Sequence, residues 1–233
     1  MLQKKKNISH YIIGIDEAGR GPLAGDVYVG VVALPQKLSR ELLSFYRKKH
    51  SLKKSALSRS APFPLADSKQ LSETQRNEWM AWIKKHISFY VYARATSKTI
   101  DAINISQACN KAAQKGYEKV RPFLRRSCIE VIGDGGIRLS RLFYKDTYRQ
   151  FSRADETVPA VSLASIVAKT SRDRAMRRLH KKYPHYGFDQ HKGYGTSAHY
   201  EALKKHGPSP IHRLTFIGKS NTIKSRVGYR RKK

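Results

Sequence analysis

Two adjacent carboxylates near the N-terminus are the first residues whose types and spacing could perform chemistry. Asp16 and Glu17 follow the apolar run 11–15 and stand immediately before the glycine-rich segment 19–25. Because Mg²⁺ and Mn²⁺ prefer oxygen ligands, a divalent metal site is the functional interpretation of this pair. The structural alternative is an acidic pair that caps a surface turn, and on this pair alone the two interpretations are equally good.

The glycine-rich segment 19–25 also has the formal pattern of a dinucleotide-binding loop, with Ala24 in the third glycine position. That motif requires a helix to begin at the loop. Residues 27–34 instead have the valine-rich pattern of a strand. We therefore reject the dinucleotide interpretation and expect the backbone N–H groups of this loop to contact phosphate or sugar oxygens.

Two further aspartates have a similar placement. Asp134 ends an apolar run inside a glycine turn, and Asp155 lies in a loop just before a long helical segment. Taken singly, each is most simply a turn or helix-cap residue. Together with Asp16 and Glu17 they form a set of acids that could hold two metal ions about 4 Å apart, an arrangement that promotes attack of water at phosphorus.

The charge of the chain predicts a polyanionic partner. Forty-seven Lys and Arg residues face 17 Asp and Glu residues, which gives a formal net charge of +30 at pH 7. Such an excess opposes folding by self-repulsion and favours nucleic acid, bound through its phosphates. The segment Lys219–Lys233 adds seven basic residues and no acidic ones. A merely basic surface is the simpler alternative, and charge alone does not indicate catalysis.

The pattern of apolar and turn residues predicts an α/β domain. Strands are expected at 11–15, 27–34, 87–95 and 128–132. Helices are expected at 38–48, behind a capping box at Ser72, behind a cap at Asp101, at 158–182 with Pro159 in its first turn, and at 197–205. The basic, serine-rich stretch 49–64 is expected to be a loop or an insertion.

The cysteines and the apolar runs bear on the compartment. Cys109 and Cys128 form no Cys-x-x-Cys pair, so we expect reduced core thiols rather than a disulfide or a zinc site. No apolar run approaches the roughly 20 residues that span a bilayer. The lysine-rich N-terminus lacks the apolar stretch of a secretory signal. We expect a soluble cytoplasmic protein that does not bind membranes.

Several other polar residues are expected to have no metal-binding role. Asp173, inside the long helix, is expected to form a structural ion pair. The histidines of the C-terminal part do not have the spacing of a zinc site, and are expected to contact phosphate or to lie on the surface: His191, His199, His206 and His212.

The run Gly14–Gly25 resembles the opening signature of the bacterial type 2 ribonuclease H (RNase HII) family. The resemblance extends from Ile12 to about Phe216 and continues through further motifs in the same order. These motifs are Asp67-Ser68-Lys69, Gly133-Asp134-Gly135, Ala154-Asp155, Ala164–Lys169, His191–Thr196 and His212-Arg213.

The resemblance implies a ribonuclease H-like α/β fold, with a five-stranded mixed sheet flanked by helices. Residues 1–183 would form the catalytic domain, and residues 184–233 a helical extension and basic tail, packed as one compact unit. It implies a monomeric, metal-dependent endonuclease that uses Mn²⁺ or Mg²⁺, as two ions during catalysis. The enzyme would hydrolyse the RNA strand of RNA–DNA hybrids on the 5′ side of a ribonucleotide, including single ribonucleotides embedded in duplex DNA, and leave 3′-hydroxyl and 5′-phosphate ends.

The resemblance also assigns site residues. The four family carboxylates, both catalytic and metal-binding, fall on Asp16, Glu17, Asp134 and Asp155, with Asp146 and Glu156 as nearby alternatives to Asp155. The substrate-binding residues would be Gly19, Arg20 and Gly21, whose loop senses the ribose 2′-hydroxyl, then Tyr194, which packs near the RNA–DNA junction, and Lys69, which helps to hold backbone phosphates.

Two alternative functions stay open at this point. The sister type 3 ribonuclease H carries an extra N-terminal domain, whereas only about ten residues precede the first expected strand here. A basic RNA-binding protein without catalysis would explain the charge. It would gain nothing from clustered carboxylates, which repel phosphate.

Overall fold

The computed structural model describes residues 10–47, 61–62, 65, 68–124, 127–143 and 145–218, except for the side chains of residues 44–47. Within them, one sheet consists of β1 (His10–Ala18), β2 (Val27–Pro35), β3 (Phe89–Ala95), β4 (Cys128–Asp134) and β5 (Thr147–Phe151). The strand order is β3-β2-β1-β4-β5. β2 is antiparallel to β1 and β3, and β4 is parallel to β1 and β5. The expected five-stranded mixed sheet is confirmed.

Helices lie on both faces of this sheet and beyond its edge. They are α1 (Gln36–Arg47), α2 (Glu73–His86), α3 (Ser97–Ile103), α4 (Ile105–Val120), α5 (Pro159–Lys182), α6 (Phe188–His191), α7 (Ser197–His206) and α8 (Leu214–Ile217). Short 3₁₀ turns occur at Arg121–Leu124, Ala154–Glu156 and Pro184–Tyr186. The expected helices 38–48, 158–182 and 197–205 correspond to α1, α5 and α7.

The central strands β1 and β2 are buried on both faces, and β1 divides its side chains between two cores. Ile13 and Ile15 pack in the core beneath α4, whereas the neighbouring core lies beneath α2 and α5. A Cβ atom at Gly14 would lie 2.1 Å from the backbone carbonyl carbon of Ala160 in α5. Since only a residue without a side chain permits this approach, Gly14 lets α5 lie directly against the sheet.

The local sequence signals of two helices are confirmed. Ser72 caps α2 and forms the expected reciprocal capping box with Gln75. Trp79 and Ile83 of this helix are fully buried. Pro159 stands in the first turn of α5, where its missing N–H removes no helical hydrogen bond.

The expectation for Asp101 is wrong. Thr96 caps α3 and Asn104 caps α4, while Asp101 lies inside α3. Its carboxylate accepts hydrogen bonds from the backbone N–H groups of Leu214 and Thr215, at 2.9 and 3.0 Å. Asp101 therefore caps α8 across the fold, a contact that no local pattern predicts.

The structure bears on two further expectations, the state of the cysteines and the absence of a membrane-spanning segment. Cys109 is buried and Cys128 is exposed, and both are free thiols. The expectation of a core thiol is thus wrong for Cys128, the first residue of β4. In the part of the chain that the structure describes, no helix is both long and apolar enough to cross a membrane. The expected insertion 49–64, except for residues 61–62, and the basic segment Lys219–Lys233 lie outside the described residues.

Candidate active site

Three of the predicted carboxylates lie at one end of the sheet, where the parallel strands β1 and β4 end, and are near enough for their charges to act on one another. Asp16 is buried at the end of β1, and its pKa is raised well above the usual value by burial and by the charges of Glu17 and Asp134. Burial raises the pKa of Glu17 as well, with Arg20 opposing the shift. Desolvated like charges disfavour the ionised forms, so this edge of the sheet would gain from a cation.

Asp16 is oriented by two contacts. Its Oδ1 accepts a hydrogen bond from the backbone N–H of Glu17 at 2.7 Å. A hydrogen bond from the Ser165 hydroxyl in α5 lowers the pKa of Asp16 and so opposes the effect of burial. Ser165 in turn lies 2.6 Å from the hydroxyl of Ser68. The next residue, Lys69, is exposed, and its positive charge lowers the pKa of Glu17. Ser68 and Lys69 of the Asp-Ser-Lys motif therefore adjoin the carboxylates.

Asp134 connects the sheet edge to the segment of Asp155. The Asp134 Oδ1 atom accepts a hydrogen bond from the backbone N–H of Ala154 at 2.7 Å. The next residue, Asp155, is buried in the 3₁₀ turn before α5, and its carbonyl oxygen accepts a hydrogen bond from the Ser162 hydroxyl. All four predicted carboxylates therefore lie on segments joined by direct hydrogen bonds or by adjacent residues.

The carboxylates fit a divalent cation by their burial and charge. Among the residues that the structure describes, no group of three His, Cys, Asp or Glu side chains is already close enough to hold an ion. The Oε2 atom of Glu17 is nevertheless buried and has no hydrogen-bond partner among the described atoms. A hard cation would satisfy this oxygen and relieve the repulsion with Asp134, once these side chains turn towards one another.

The alternatives to Asp155 have structural partners. Asp146 is buried and accepts hydrogen bonds from the guanidinium of Arg121 at 2.6 and 2.9 Å, and from the hydroxyl of Tyr117. Glu156 lies 3.6 Å from the exposed guanidinium of Arg153. The buried ion pair occupies Asp146, so Asp155 is the better candidate for the fourth carboxylate.

The expected structural role of Asp173 is confirmed, because its carboxylate lies 2.9 Å from Lys169 Nζ and 3.6 Å from Arg76 Nη2. The expectation for the histidines is wrong for His199 and His212, which are 0% and 2% exposed and contact each other. Histidine is intermediate in its tendency to be buried, and its sequence context gives no sign of which rings are enclosed.

The glycine loop is held from behind by a buried arginine. Arg213, 0% exposed, donates from Nη2 to the carbonyl oxygen of Gly19 at 2.7 Å, from Nη1 to that of Arg20 at 2.8 Å, and from Nε to that of Gly25 at 2.9 Å. Gly19 has a φ of +98°, which a residue with a side chain rarely adopts. Burial and the neighbouring Arg172 lower the pKa of Arg213 to about 9.

Tyr194 lies beside this loop. A Cβ atom added to Gly21 would lie 3.8 Å from Cε1 of the Tyr194 ring. The ring is 44% exposed, and the guanidinium carbon of Arg172 lies 5.6 Å from its centroid. On the other side of the loop, Arg20 lies 3.6 Å from Glu17 and 3.1 Å from Ser106. The predicted loop residues 19–21 and Tyr194 thus adjoin one another, and the ring of Tyr194 beside the loop is partly open to solvent.

A family model described as Ribonuclease HII matches residues 13–219. Ribonuclease HII of Nitrosomonas europaea is 40% identical over 205 residues, which cover 88% of this chain and 82% of that protein. Ribonuclease HII of Oceanobacillus iheyensis is 35% identical over 211 residues, which cover 91% of this chain and 70% of that protein.

Two solved structures share the fold. The ribonuclease H2 from Pyrococcus horikoshii OT3 aligns with a TM-score of 0.65 at 24% identity, covering 92% of this chain and 96% of that one. Bst-RNase HIII in complex with Mn²⁺ aligns with a TM-score of 0.61 at 14% identity, covering 96% of this chain and 71% of that one.

Proposed function

Since this chain belongs to the ribonuclease HII family, and is therefore a nuclease that degrades RNA in RNA–DNA hybrids, we propose that it cuts on the 5′ side of a ribonucleotide. The substrates include a single ribonucleotide embedded in duplex DNA, and the products carry 3′-hydroxyl and 5′-phosphate ends. Membership of the family overturns the alternative of a basic RNA-binding protein without catalysis. It also favours type 2 over type 3 ribonuclease H.

The observation that carries the proposal is the gathering of desolvated carboxylates beside a glycine loop. Burial and the charges of Glu17 and Asp134 raise the pKa of Asp16. In a chain of net charge +30, acids would be expected to find basic partners. Acids that repel one another in a buried position are instead typical of functional sites.

Asp16, Glu17, Asp134 and Asp155 would hold Mn²⁺ or Mg²⁺, two ions in the active complex, and Mn²⁺ is the ion in the Bst-RNase HIII structure. Bound ions supply an activated water and stabilise the departing 3′-oxygen. The chain itself orients the carboxylates: the Ser165 hydroxyl and the backbone of Glu17 hold Asp16. The backbone N–H of Ala154 holds Asp134.

The ribonucleotide would be recognised by the loop and by Tyr194. Arg213 holds the carbonyl oxygens of Gly19 and Arg20. The N–H groups of Leu23 and Gly25 donate to backbone carbonyls, so those of residues 19–21 would be the ones to meet the substrate. The 2′-hydroxyl is the group that separates RNA from DNA at one nucleotide. A polar site left unpaired when this hydroxyl is missing can discriminate by about 10⁴ or more. The exposed ring of Tyr194 would pack on the neighbouring sugar and keep the strand in register.

The test is cleavage of a labelled DNA duplex with one embedded ribonucleotide, beside an all-DNA duplex of the same sequence. We expect one cut, on the 5′ side of the ribonucleotide, only when Mn²⁺ or Mg²⁺ is present. Polymerase extension of the product would show its free 3′-hydroxyl. Cleavage in the presence of a chelator, or ends blocked by phosphate, would contradict the proposal.

Two variants at Gly21 test the role of the loop. In Gly21→Ala the new methyl group meets only the Tyr194 ring, at an ordinary contact distance, so folding should be preserved. Gly21→Leu would fill the space that the sugar is proposed to occupy. We expect the leucine variant to lose far more cleavage of the single-ribonucleotide duplex than binding of it, with the alanine variant between the leucine variant and the wild type.

The monomeric state, the cytoplasmic location and the domain boundary after residue 183 stay predictions.

A further inference from the structure

Two adjacent buried residues near the end of the described chain, His212 and Arg213, are linked to the two halves of the proposed ribonucleotide site, Arg213 directly and His212 through another side chain. Arg213 donates to the carbonyl oxygens of Gly19 and Arg20 in the loop. His212 reaches the other half through a second ring, His199. The backbone of Arg213 also binds the loop, because its N–H donates to the carbonyl oxygen of Leu23 at 2.7 Å.

The hydrogen bonds of these rings run in one direction. The backbone N–H of Ser209 donates to Nδ1 of His212 at 2.9 Å, so in the neutral ring the proton of His212 stands on Nε2. That Nε2 lies 3.0 Å from Nε2 of His199, which must accept and so carries its own proton on Nδ1. The Nδ1 atom of His199 lies 2.9 Å from the carbonyl oxygen of Tyr194 and donates to it. The path from Ser209 to Tyr194 is therefore satisfied by one set of tautomers.

The surroundings keep this path neutral and in place. Burial lowers the pKa of His199 and of His212 to about 4, so both rings are neutral near pH 7. His191 stacks on His199, with centroids 4.5 Å apart and planes 15° apart. The backbone N–H of Gly193 donates to Nδ1 of His191 at 3.1 Å. The turn that carries Tyr194 is thus held by two stacked imidazole rings, and its open side chain is the part left for substrate.

We propose that His212 and Arg213, with His199, are positioning residues that set the distance between the glycine loop and Tyr194 and thereby the selectivity for a lone ribonucleotide. None of them touches the substrate. The inference rests on the proposed roles of the loop and of Tyr194. A duplex with one ribonucleotide offers a single correct position, whereas a long hybrid offers a ribose at every position and tolerates a displaced site.

Asparagine and glutamine at position 199 give a matched pair of variants, because each side-chain amide replaces one of the two ring nitrogens of His199. Asn at position 199 places its amide near the Nδ1 atom and can still donate to the Tyr194 carbonyl. Gln places its amide near Nε2, keeps a partner for His212 and loses Tyr194. We expect His199→Gln to lower the ratio of kcat/KM on the single-ribonucleotide duplex to kcat/KM on a long hybrid by about tenfold or more, since small misplacements cost that much. We expect His199→Asn to keep the ratio within about twofold.

This ratio does not depend on the fraction of folded enzyme, because a loss of folded protein lowers both rates equally. If His199→Gln is too unstable to assay, His212→Asn keeps the acceptor for the Ser209 N–H and removes the donor to His199. That variant should lower the ratio in the same way. Equal ratios for Asn and Gln at position 199 would overturn the proposal.

Hydrogen exchange separates this inference from the proposed function. We expect the amides of residues 193–196 to exchange faster in His199→Gln than in His199→Asn, with or without substrate. If the wild-type enzyme does not cut the lone ribonucleotide, the proposed function fails, and the selectivity role falls with it, while the exchange rates still report whether His199 holds the Tyr194 turn. Faster exchange in the Gln variant with an unchanged cleavage ratio would overturn the selectivity role. Equal exchange in both variants would overturn the positioning itself.

Discussion

The carboxylate of Asp134 accepts a hydrogen bond from the backbone N–H of Ala154 at 2.7 Å, so the end of β4 holds the residue directly before Asp155. Asp134→Asn retains the accepting oxygen and removes the charge, whereas Asp134→Ala removes both. We expect both variants to lose most cleavage. Only the alanine variant should lose about 1–3 kcal/mol of unfolding free energy, because it leaves the N–H unpaired. Equal stabilities in chemical denaturation would contradict this role of the hydrogen bond.

Asp16 should destabilise the fold when no metal is present. Its folded-state pKa is raised above the ordinary 3.8, so its stabilising contribution is present below that value and is lost as the pH rises through the folded-state pKa. At pH 7 Asp16→Asn is therefore expected to raise the melting temperature in chelator. Mn²⁺ should raise the melting temperature of the wild type and not that of the variant. Replacing an exposed acid, as in Glu78→Gln, gives the control, and an equal response to Mn²⁺ in Asp16→Asn would argue against a metal role.

Asp155 and Asp146 should fail in different ways. Removing one partner of the buried pair between Asp146 and Arg121 leaves a charge uncompensated, at a cost of about 3–5 kcal/mol. Asp146→Asn is thus expected to lose stability, and the fraction that remains folded should cleave normally. Asp155→Asn is expected to keep hybrid binding and lose cleavage. Near-normal rates for Asp155→Asn across Mg²⁺ and Mn²⁺ titrations would mean that the fourth ligand lies elsewhere.

The buried histidine pair predicts an acid-sensitive fold. Because the pKa values of His199 and His212 are lowered to about 4 in the folded state, from 6.5, the unfolded chain binds more protons in between. Stability should be fully present above pH 6.5 and fall towards pH 4, by at most about 3 kcal/mol for each ring. Denaturation curves measured between pH 8 and pH 4 test this. His185→Gln, which replaces an exposed ring, should follow the wild type, and a flat wild-type profile would refute the assignment.

The basic segment Lys219–Lys233 is predicted to bind phosphates without regard to sequence. Its deletion should weaken duplex binding and flatten the salt dependence, by about 0.9 in the logarithmic slope for each phosphate that is no longer neutralised. The position of the cut should not move. Unchanged affinity from low to high salt would show that this segment does not contact the substrate.

The carboxylates could be anticipated from the sequence because each follows an apolar run or precedes a helix. The parallel pairing of β1 with β4 then brings Asp16 and Asp134 to the same edge of the sheet. The strand β5, by contrast, could not be predicted from its own residues. Residues 147–151 contain no continuous apolar run. β5 is also the outermost strand of the sheet and pairs with one neighbour only.

The contacts that organise the C-terminal part could not be read from local pattern. Arg213 and Gly19 are 194 positions apart, and a buried arginine is rare enough that sequence alone predicts a surface role. Asp101 has the local pattern of a cap for its own helix because capping rules count neighbours along the chain. Its actual partners, Leu214 and Thr215, lie 113 and 114 positions away. The roles of Arg213 and Asp101 are therefore set by contacts between distant parts of the chain, which their residue types and sequence neighbours do not indicate.

Because α5 lies directly against the sheet at Gly14, this one helix contacts several separate parts of the proposed site. Near its start Ser162 bonds to the carbonyl of Asp155, Ser165 then contacts Ser68 at 2.6 Å, and two turns later Arg172 donates to the carbonyl of Lys192 at 2.8 Å. A side chain at position 14 would clash with the backbone of Ala160 in α5, so we expect a substitution there to disturb all three contacts together. Substitutions at these sites should therefore show epistasis. Their changes in unfolding free energy would add only if the sites were independent, and here all of them depend on the position of α5. Recombining segments from relatives would then succeed most often when strand β1 and helix α5 come from the same parent.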